Sequence, residues 1–245
     1  MLRSRRELAE LPMMPRVNPG VRWLSRLGYS IVRPYLRRRL GRTVLEHVEG
    51  VPLLVLPQVF NPAIFRSGRL LVQALATLPV PVSATQGGAA ARALDMGTGS
   101  GLGAVCAARL GYRVTAVDIN PDAVRCARIN ALQHQLEDRI EVRQGDLFEP
   151  VQGERFDLVL FNPPFFRGQP RNRLDAAWRS VDVPERFAAG LPAVLQPEGL
   201  GLLVLSTDGA QEAWLLAFRQ AGFQIDIVAQ RHFGNEIMCV YCVRR

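Results

Sequence analysis

Short apolar runs and longer amphipathic segments alternate along residues 91–245. The runs "ARALDM", "YRVTAVDI", "RIEVRQGD" and "RFDLVLF" have the length and composition of buried strands. Apolar residues at helical spacing follow the first two runs, in "GLGAVCAARLG" and "PDAVRCARINALQH". Strands that alternate with helices form a parallel sheet covered on both faces. The pattern therefore predicts a doubly wound α/β domain.

The last third of the chain continues this alternation and ends in a hairpin. A helix near 183–195, the strand "GLLVLS" and the helix "GAQEAWLLAFRQAG" come before the strands "FQIDIVAQRHF" and "EIMCVYCVR". Only "GN", Gly234-Asn235, connects the last two strands, which permits a hairpin and not a crossover helix. We expect a Rossmann-like, mostly parallel seven-stranded sheet with an antiparallel C-terminal strand.

The N-terminal part of the chain lacks this regular alternation. Residues 1–20 are rich in proline and are expected to form an arm, and residues 21–41 have helical spacing interrupted by Pro34. Residues 43–60 predict two short strands that turn at Glu49-Gly50. We divide the chain into a basic arm, helix and hairpin over 1–55 and a main domain over 56–245.

Positive charge is concentrated at the N-terminus. The net charge is +8, while residues 1–42 contain 11 arginines and two glutamates, which gives 11 − 2 = +9. Three interpretations of this segment stay open: a packed helix with a solvated arginine face, an RNA or ribosome contact, and a helix on a membrane surface. Because no run of about 18 apolar residues and no secretory signal are found, we predict no membrane span and a cytoplasmic protein.

The four cysteines give no support for a disulfide framework or a metal site. Cys239 and Cys242 are three residues apart in a predicted strand, so they point to opposite faces of the sheet. We interpret them as buried, reduced thiols and predict no bound metal.

A glycine-rich turn follows the first strand of the main domain, in "LDMGTGSGLG". Asp95 stands at the end of the strand, and the turn contains Gly97, Thr98, Gly99 and Gly101. Glycines between a strand and a helix let a ligand approach the backbone closely. A carboxylate at the strand end repels a pyrophosphate and attracts an ammonium group. This combination favours S-adenosylmethionine over a dinucleotide.

Two further acids end the next two strands. Asp118, followed by Ile119, can accept hydrogen bonds from ribose hydroxyls. Asp146, followed by Leu147, is placed to accept from an adenine amino group, although a turn cap is an alternative role for it. These four residues complete the candidate cofactor site.

The fourth strand runs into "FNPPFF", and two adjacent prolines cannot continue a sheet. Because this strand end lies beside the ligand crevice, Asn162 can also contact the cofactor. The Asn162 amide oxygen and the Pro163 carbonyl can accept both hydrogens of a planar amino group, and Phe165 can stack on that group. Pro164 fixes the geometry of the segment. We take Asn162, Pro163, Pro164 and Phe165 as the candidate catalytic residues.

In these motifs the chain resembles the class I S-adenosylmethionine-dependent methyltransferases over about residues 56–245. It is most similar to the N-methyltransferases with an Asn-Pro-Pro-Tyr/Phe motif, which include release-factor glutamine methyltransferases. The segment "VFNPAIFRSGRLL" is similar to one that lies over the site in those enzymes, with Ser67 as the matching polar residue.

The resemblance implies methyl transfer to a planar amino group, and we favour a protein glutamine amide. Alternatives are an adenine or guanine amino group in RNA or DNA, and a small-molecule amine. A non-catalytic binding module is a further alternative, which the intact "NPPF" disfavours. The expected partner is therefore a protein or RNA acceptor, with an additional RNA or ribosome contact through the arginine-rich N-terminus.

Overall fold

A computed structural model describes residues 41–79, 90–172, 174–234 and 236–245. The predicted arm and the predicted helix over 21–41, apart from Gly41, lie outside the described residues. Residues 80–89, which precede the first strand of the main domain, also lie outside them.

The elements follow the predicted order. The strands are β1 (Val44–Val48), β2 (Val51–Val55), β3 (Arg92–Met96), β4 (Arg113–Asp118), β5 (Ile140–Gln144), β6 (Phe156–Phe161), β7 (Phe166–Arg167), β8 (Arg179–Ser180), β9 (Leu195–Ser206), β10 (Gln224–His232) and β11 (Ile237–Arg244). The helices are α1 (Arg66–Leu75), α2 (Leu102–Arg109), α3 (Pro121–Gln133), α4 (Val183–Val194) and α5 (Gln211–Gln220). Short 3-10 turns occur at Glu149–Val151 and Asp175–Ala177.

The main sheet has seven strands in the order β10-β11-β9-β6-β3-β4-β5. Neighbouring strands from β9 to β5 pair in parallel, while β11 is antiparallel to both β9 and β10. This confirms the predicted seven-stranded sheet with an antiparallel C-terminal strand. Since parallel strands end at one edge, the ends of β3, β4, β5 and β6 lie side by side.

Two apolar cores cover the two faces of the sheet. Along β9, Leu202 and Val204 belong to one core, and Leu203 and Leu205 belong to the other. The first core contains α1, α2 and α3, and the second contains α4 and α5. Successive strand residues point to opposite faces, so a strand covered on both sides is apolar throughout.

The C-terminal cysteines follow the same rule. Cys239 lies in the core with α4 and α5, and Cys242 lies in the core with the other three helices. Both are free and buried, as the sequence predicts. Among the described residues, no cluster of histidine, cysteine and acidic side chains could hold a metal ion.

The predicted hairpin packs against the main domain. Glu49 and Gly50 form its turn, with φ of 50° and 73°. Its buried residues share a core with α3, and the Asn130 side chain of α3 bonds both backbone groups of Leu54. A domain division after residue 55 stays a prediction.

Candidate functional site

A cleft of about 590 Å³ lies at the ends of β3, β4, β5 and β6. Ten of the predicted site residues line it: Asp95, Gly97, Thr98, Gly99, Asp118, Ile119, Asp146, Leu147, Asn162 and Pro164. Residues separated by up to 69 positions in sequence, from Asp95 to Pro164, thus meet in one cavity.

The glycine turn is held closely around Asp95. The Asp95 carboxylate is 4% exposed, and its Oδ2 accepts from Thr98 Oγ1 at 2.6 Å and from the Ala104 N–H at 2.9 Å. A Cβ on Gly103 would lie 2.5 Å from Asp95 Oδ1, so only glycine fits there. The acid therefore fixes the start of α2 as well as forming part of the cleft wall.

Burial raises the pKa of Asp95 to about 6, against the lowering effect of its two hydrogen bonds. The nearby Asp118 carboxylate raises it further. A buried carboxylate without a cationic partner favours a ligand that brings a positive charge.

Asp118 connects the glycine turn to β4. Its Oδ2 accepts from the Gly99 N–H and its Oδ1 accepts from the Asn120 N–H, both at 2.9 Å. Burial raises the pKa of Asp118, while these backbone donors lower it. Each carboxylate oxygen has two lone pairs, so both can still accept a hydroxyl hydrogen.

The remaining cofactor candidates occupy different positions around the cleft. Ile119 is 56% exposed and provides an apolar surface beside Asp118. Leu147 lines the cleft with a left-handed backbone, φ 48°. Gly101 lies outside the lining, caps α2 with φ 85°, and a Cβ there would lie 3.1 Å from Ala127 Cα.

Asp146 has a partner that sequence reasoning missed. Arg186, in α4, places its Nη2 2.7 Å from Asp146 Oδ2, and both residues line the cleft. They are 40 positions apart, and no local motif signals the pair.

The motif residues after β6 divide between the cleft and the protein interior. Asn162 and Pro164 line the cleft, whereas Pro163 is buried. Among the described residues, none forms a hydrogen bond with the Asn162 side chain. The amide is therefore available to a ligand.

Phe165 is not part of the cleft lining, and it packs against the core on the α1 side of the sheet. Its carbonyl accepts from the Ala210 N–H at 2.6 Å, which directs the chain away from the cleft after the prolines. The predicted stacking role of Phe165 thus has no support in its position.

Two chain segments complete the cleft walls. Gln58, Phe60 and Pro62 line it from the segment before α1, and Gly68 lines it from the first turn of α1. Ser67, also in α1, is buried outside the lining. The resemblance indicated this segment in advance. A second set comes from the loop before α4 and from the start of α4: Ala176, Ala177, Arg179, Ser180, Val181 and Asp182 in the loop, and Val183 and Arg186 in the helix. Nothing in its sequence marks that loop as part of the site.

Three aromatic rings form a group beside the cleft, where the segment before α1 meets the loop before α4. The Phe60 ring, which lines the cleft, stacks on Phe65 at 4.8 Å between ring centroids. The Trp178 ring contacts both, at 5.8 and 5.2 Å. The group links the segment before α1 to the loop before α4.

The parallel strands carry a glycine turn after β3, an acid at the end of β4 and an Asn-Pro-Pro motif after β6. Together these features define a class I methyltransferase domain. The methyltransferase small domain family matches residues 51–220, and the chain belongs to this family. This confirms the predicted class and, with it, S-adenosylmethionine as the cofactor.

Relatives with this domain differ in their acceptors. The chain is 34% identical over 157 residues to the ribosomal RNA small subunit methyltransferase C of Alcanivorax borkumensis, covering 64% of this chain and 45% of that protein. It is 34% identical over 142 residues to the ribosomal protein uL3 glutamine methyltransferase of Bordetella pertussis, covering 52% and 47%. The chain thus spans about half the length of both relatives.

A solved structure supports the fold. A T. thermophilus 16S rRNA N2 methyltransferase in complex with AdoMet and guanosine matches 83% of this chain and 50% of its own, with a TM-score of 0.62 and 22% identity.

Proposed function

We propose that this protein is an S-adenosylmethionine-dependent N-methyltransferase that methylates a planar amino group bound at Asn162. One observation carries the proposal: the Asn162 amide, whose side chain bonds no other described residue, shares a single cleft with the glycine turn, Asp95 and Asp118. A module that only bound a nucleoside would have no need for this amide at the end of β6.

The residues of the cleft fit the proposed cofactor. Gly97 has φ 61°, and a Cβ there would lie 3.1 Å from Phe161 Cε2, so this position of the turn requires glycine. The backbone of the turn lines the cleft, where a ligand can approach it. Asp95 offers a carboxylate to an α-ammonium group, and Asp118 offers one to ribose hydroxyls. Ile119 and Leu147 offer apolar surface to a purine ring.

The chain itself supplies positioning. S-adenosylmethionine, when bound, supplies a methyl group made electrophilic by its sulfonium. Asn162 Oδ1 and the Pro163 carbonyl accept the two amino hydrogens, which directs the nitrogen lone pair towards the methyl group. Pro163 and Pro164 restrict the backbone at this point, so the two acceptors keep a fixed relation. A strong general base is not required, because the nitrogen can lose its proton after the transfer.

The first acceptor class is a protein glutamine amide. A glutamine side chain carries its amide at the end of two methylene groups, so it can reach Asn162 from outside the cleft. The uL3 glutamine methyltransferase supports this choice by its similarity. Acceptors in the translation machinery would also agree with a cytoplasmic location.

A nucleobase amino group is the second acceptor class, and the aromatic group of Phe60, Phe65 and Trp178 favours it. An unstacked base is typically bound on such rings. The ribosomal RNA methyltransferase supports this class in the same way.

One experiment tests the activity and separates the acceptors. The purified protein is incubated with methyl-labelled cofactor and a cell lysate, and the labelled products are divided by protease and by nuclease. Label that protease releases supports the glutamine acceptor, and label that nuclease releases supports the base. An absence of label above that of an Asn162→Ala control, with cofactor binding intact, would overturn the proposal.

A further inference from the structure

A second concavity, of about 320 Å³, lies between α1 and the end of β10. Six residues line it: Arg66, Arg69, Leu70, Gln73, Arg231 and Phe233. Three of the six are arginines, and neither the cofactor site nor the core uses them. We refer to these six residues as the arginine surface.

The arginines are held in different ways. The Arg66 guanidinium lies over the Phe233 ring, 4.6 Å from its centroid. Arg69 Nε lies 3.2 Å from Glu49 Oε1. Arg231 is exposed and has no ion pair with another described residue. A guanidinium that covers an aromatic ring keeps its N–H groups at the edge, where they can contact an anion.

Carboxylates near this surface do not neutralise it. Glu49 pairs with Arg69, and Glu236 accepts a hydrogen bond from Ser206 Oγ. Burial raises the pKa of Glu236, while the nearby Arg66 guanidinium lowers it, so Arg66 also interacts with this carboxylate. Three guanidinium groups face two carboxylates, and the surface keeps a positive charge. Arg66 and Arg231 therefore remain for a ligand, and Arg69 can exchange its exposed partner for a stronger one. Side chains of both Arg69 and Glu49 are at least a third exposed, so this pair contributes little stability.

One chain segment connects the main cleft to the arginine surface. Arg66 follows Phe65 in the chain, and the Phe65 ring stacks on Phe60, which lines the cleft. A polymer that places one unit at Asn162 can therefore extend along this segment to the arginines.

We propose that the arginine surface binds the backbone phosphates of a nucleic acid. Arginine forms bidentate hydrogen bonds with phosphate oxygens, and Leu70 and Phe233 offer apolar contact to a sugar. The inference deepens the proposed function. It rests on that function only for the reason why a nucleic acid would bind to this protein. It applies to a nucleobase acceptor and equally to a protein acceptor that is bound to RNA.

The test is RNA binding by the full chain, measured without cofactor. One variant combines Arg66→Gln, Arg69→Gln and Arg231→Gln. A control combines Arg113→Gln, Arg125→Gln and Arg139→Gln, which are also exposed and lie towards the opposite edge of the sheet, at β4, α3 and β5. Both variants lose three positive charges and keep the basic N-terminal segment.

We expect the first variant to bind a single-stranded RNA oligonucleotide roughly tenfold more weakly at moderate salt, and the control to bind within about twofold of the unmodified protein. Each phosphate contact adds roughly 0.7 to the slope of log affinity against log salt, so three lost contacts remove about 2. The slope of the control should stay unchanged.

Equal losses of RNA affinity in both variants would overturn the proposal, because the losses would then follow from the change in net charge and not from a specific site. Unchanged affinity in the first variant would overturn it too, as would equal competition by a polyglutamate peptide, which would indicate an acidic protein ligand. S-adenosylhomocysteine affinity, measured by calorimetry on each variant, verifies that the cleft is intact. A protein that does not bind RNA can still transfer a methyl group in the lysate assay. The two proposals are therefore tested separately, and either can fail without the other.

Discussion

Arg186 Nη2 lies 2.7 Å from Asp146 Oδ2 and so joins α4 to the loop after β5 at the wall of the cleft. The pair fixes one carboxylate oxygen and leaves the other available to a ligand. Both side chains are about a third exposed, so we do not assign the pair a large share of the folding free energy. Its effect should appear in ligand binding.

The first prediction is that Arg186→Gln weakens S-adenosylhomocysteine binding by roughly threefold to tenfold and lowers the free energy of unfolding by less than about 1 kcal/mol. The reason is that Asp146 loses the donor that orients it. Calorimetry and urea denaturation measure the two effects. Arg167→Gln is the matched control, since Arg167 pairs with Glu185 in the same helix but does not line the cleft. Equal loss of affinity in both variants would contradict the role of Arg186.

The second prediction concerns Asn162. Asn162→Ala should lower kcat by roughly 10²–10³-fold, because a contact that aligns the reacting nitrogen is lost in the transition state. Affinity for S-adenosylhomocysteine should change by less than about threefold. Asn172→Ala serves as control, because Asn172 lies in the following loop and its side chain bonds the Asp175 N–H and no other group of the described residues. A loss of cofactor affinity as large as the loss of rate would show that Asn162 binds the cofactor and not the acceptor.

The third prediction is a pH dependence of cofactor affinity. The pKa of Asp95 is raised to about 6, so the carboxylate is ionised at pH 8 and mostly protonated at pH 5. An ammonium group prefers the ionised form, so affinity for S-adenosylhomocysteine should rise by up to about tenfold from pH 5 to pH 8. Because the pKa of Asp118 is also raised, Asp95→Asn should flatten the curve without making it level. A rising affinity as the pH falls would exclude an ammonium at Asp95.

The sequence predicted the fold well because the sheet is covered on both faces. Its strands are short apolar runs, and the helices between them end at clear signals such as Gly111, which has φ 98°. The ends of parallel strands meet at one edge, so Asp95, Asp118 and Asn162 could be placed together from their positions after strands.

Contacts between distant segments could not be predicted in this way. The loop before α4 lines the cleft because the two-residue strands β7 and β8 pair, with the Phe166 N–H bonding the Trp178 carbonyl at 2.8 Å. Strands this short have no periodicity to detect. Phe165 was assigned to the acceptor because it follows the prolines. It lies outside the cleft lining, with its carbonyl bonded to the Ala210 N–H, and its stacking role stays a prediction.

No sequence pattern singles out Asn130 either. It is fully buried in α3, and its Nδ2 donates to the Leu54 and Ser100 carbonyls, each at 2.8 Å. Its Oδ1 accepts from the Leu54 N–H, also at 2.8 Å. One side chain thus holds the hairpin, α3 and the glycine turn together.

The fourth prediction is that Asn130→Ala lowers the free energy of unfolding by roughly 2–4 kcal/mol, because it removes the partner of the Leu54 N–H and of the Ser100 carbonyl. The Leu54 carbonyl keeps Cys126 Sγ as a donor. Gln133→Ala is the control, since Gln133 is exposed on the same helix and bonds the same hairpin at Pro52, at 3.3 Å. It should cost less than about 1 kcal/mol. Urea denaturation measures both.

Because Ser100 belongs to the glycine turn, Asn130→Ala should also weaken S-adenosylhomocysteine binding at a temperature where the variant is fully folded, and Gln133→Ala should not. A destabilised Asn130→Ala variant with unchanged cofactor affinity would show that the glycine turn keeps its shape without this contact.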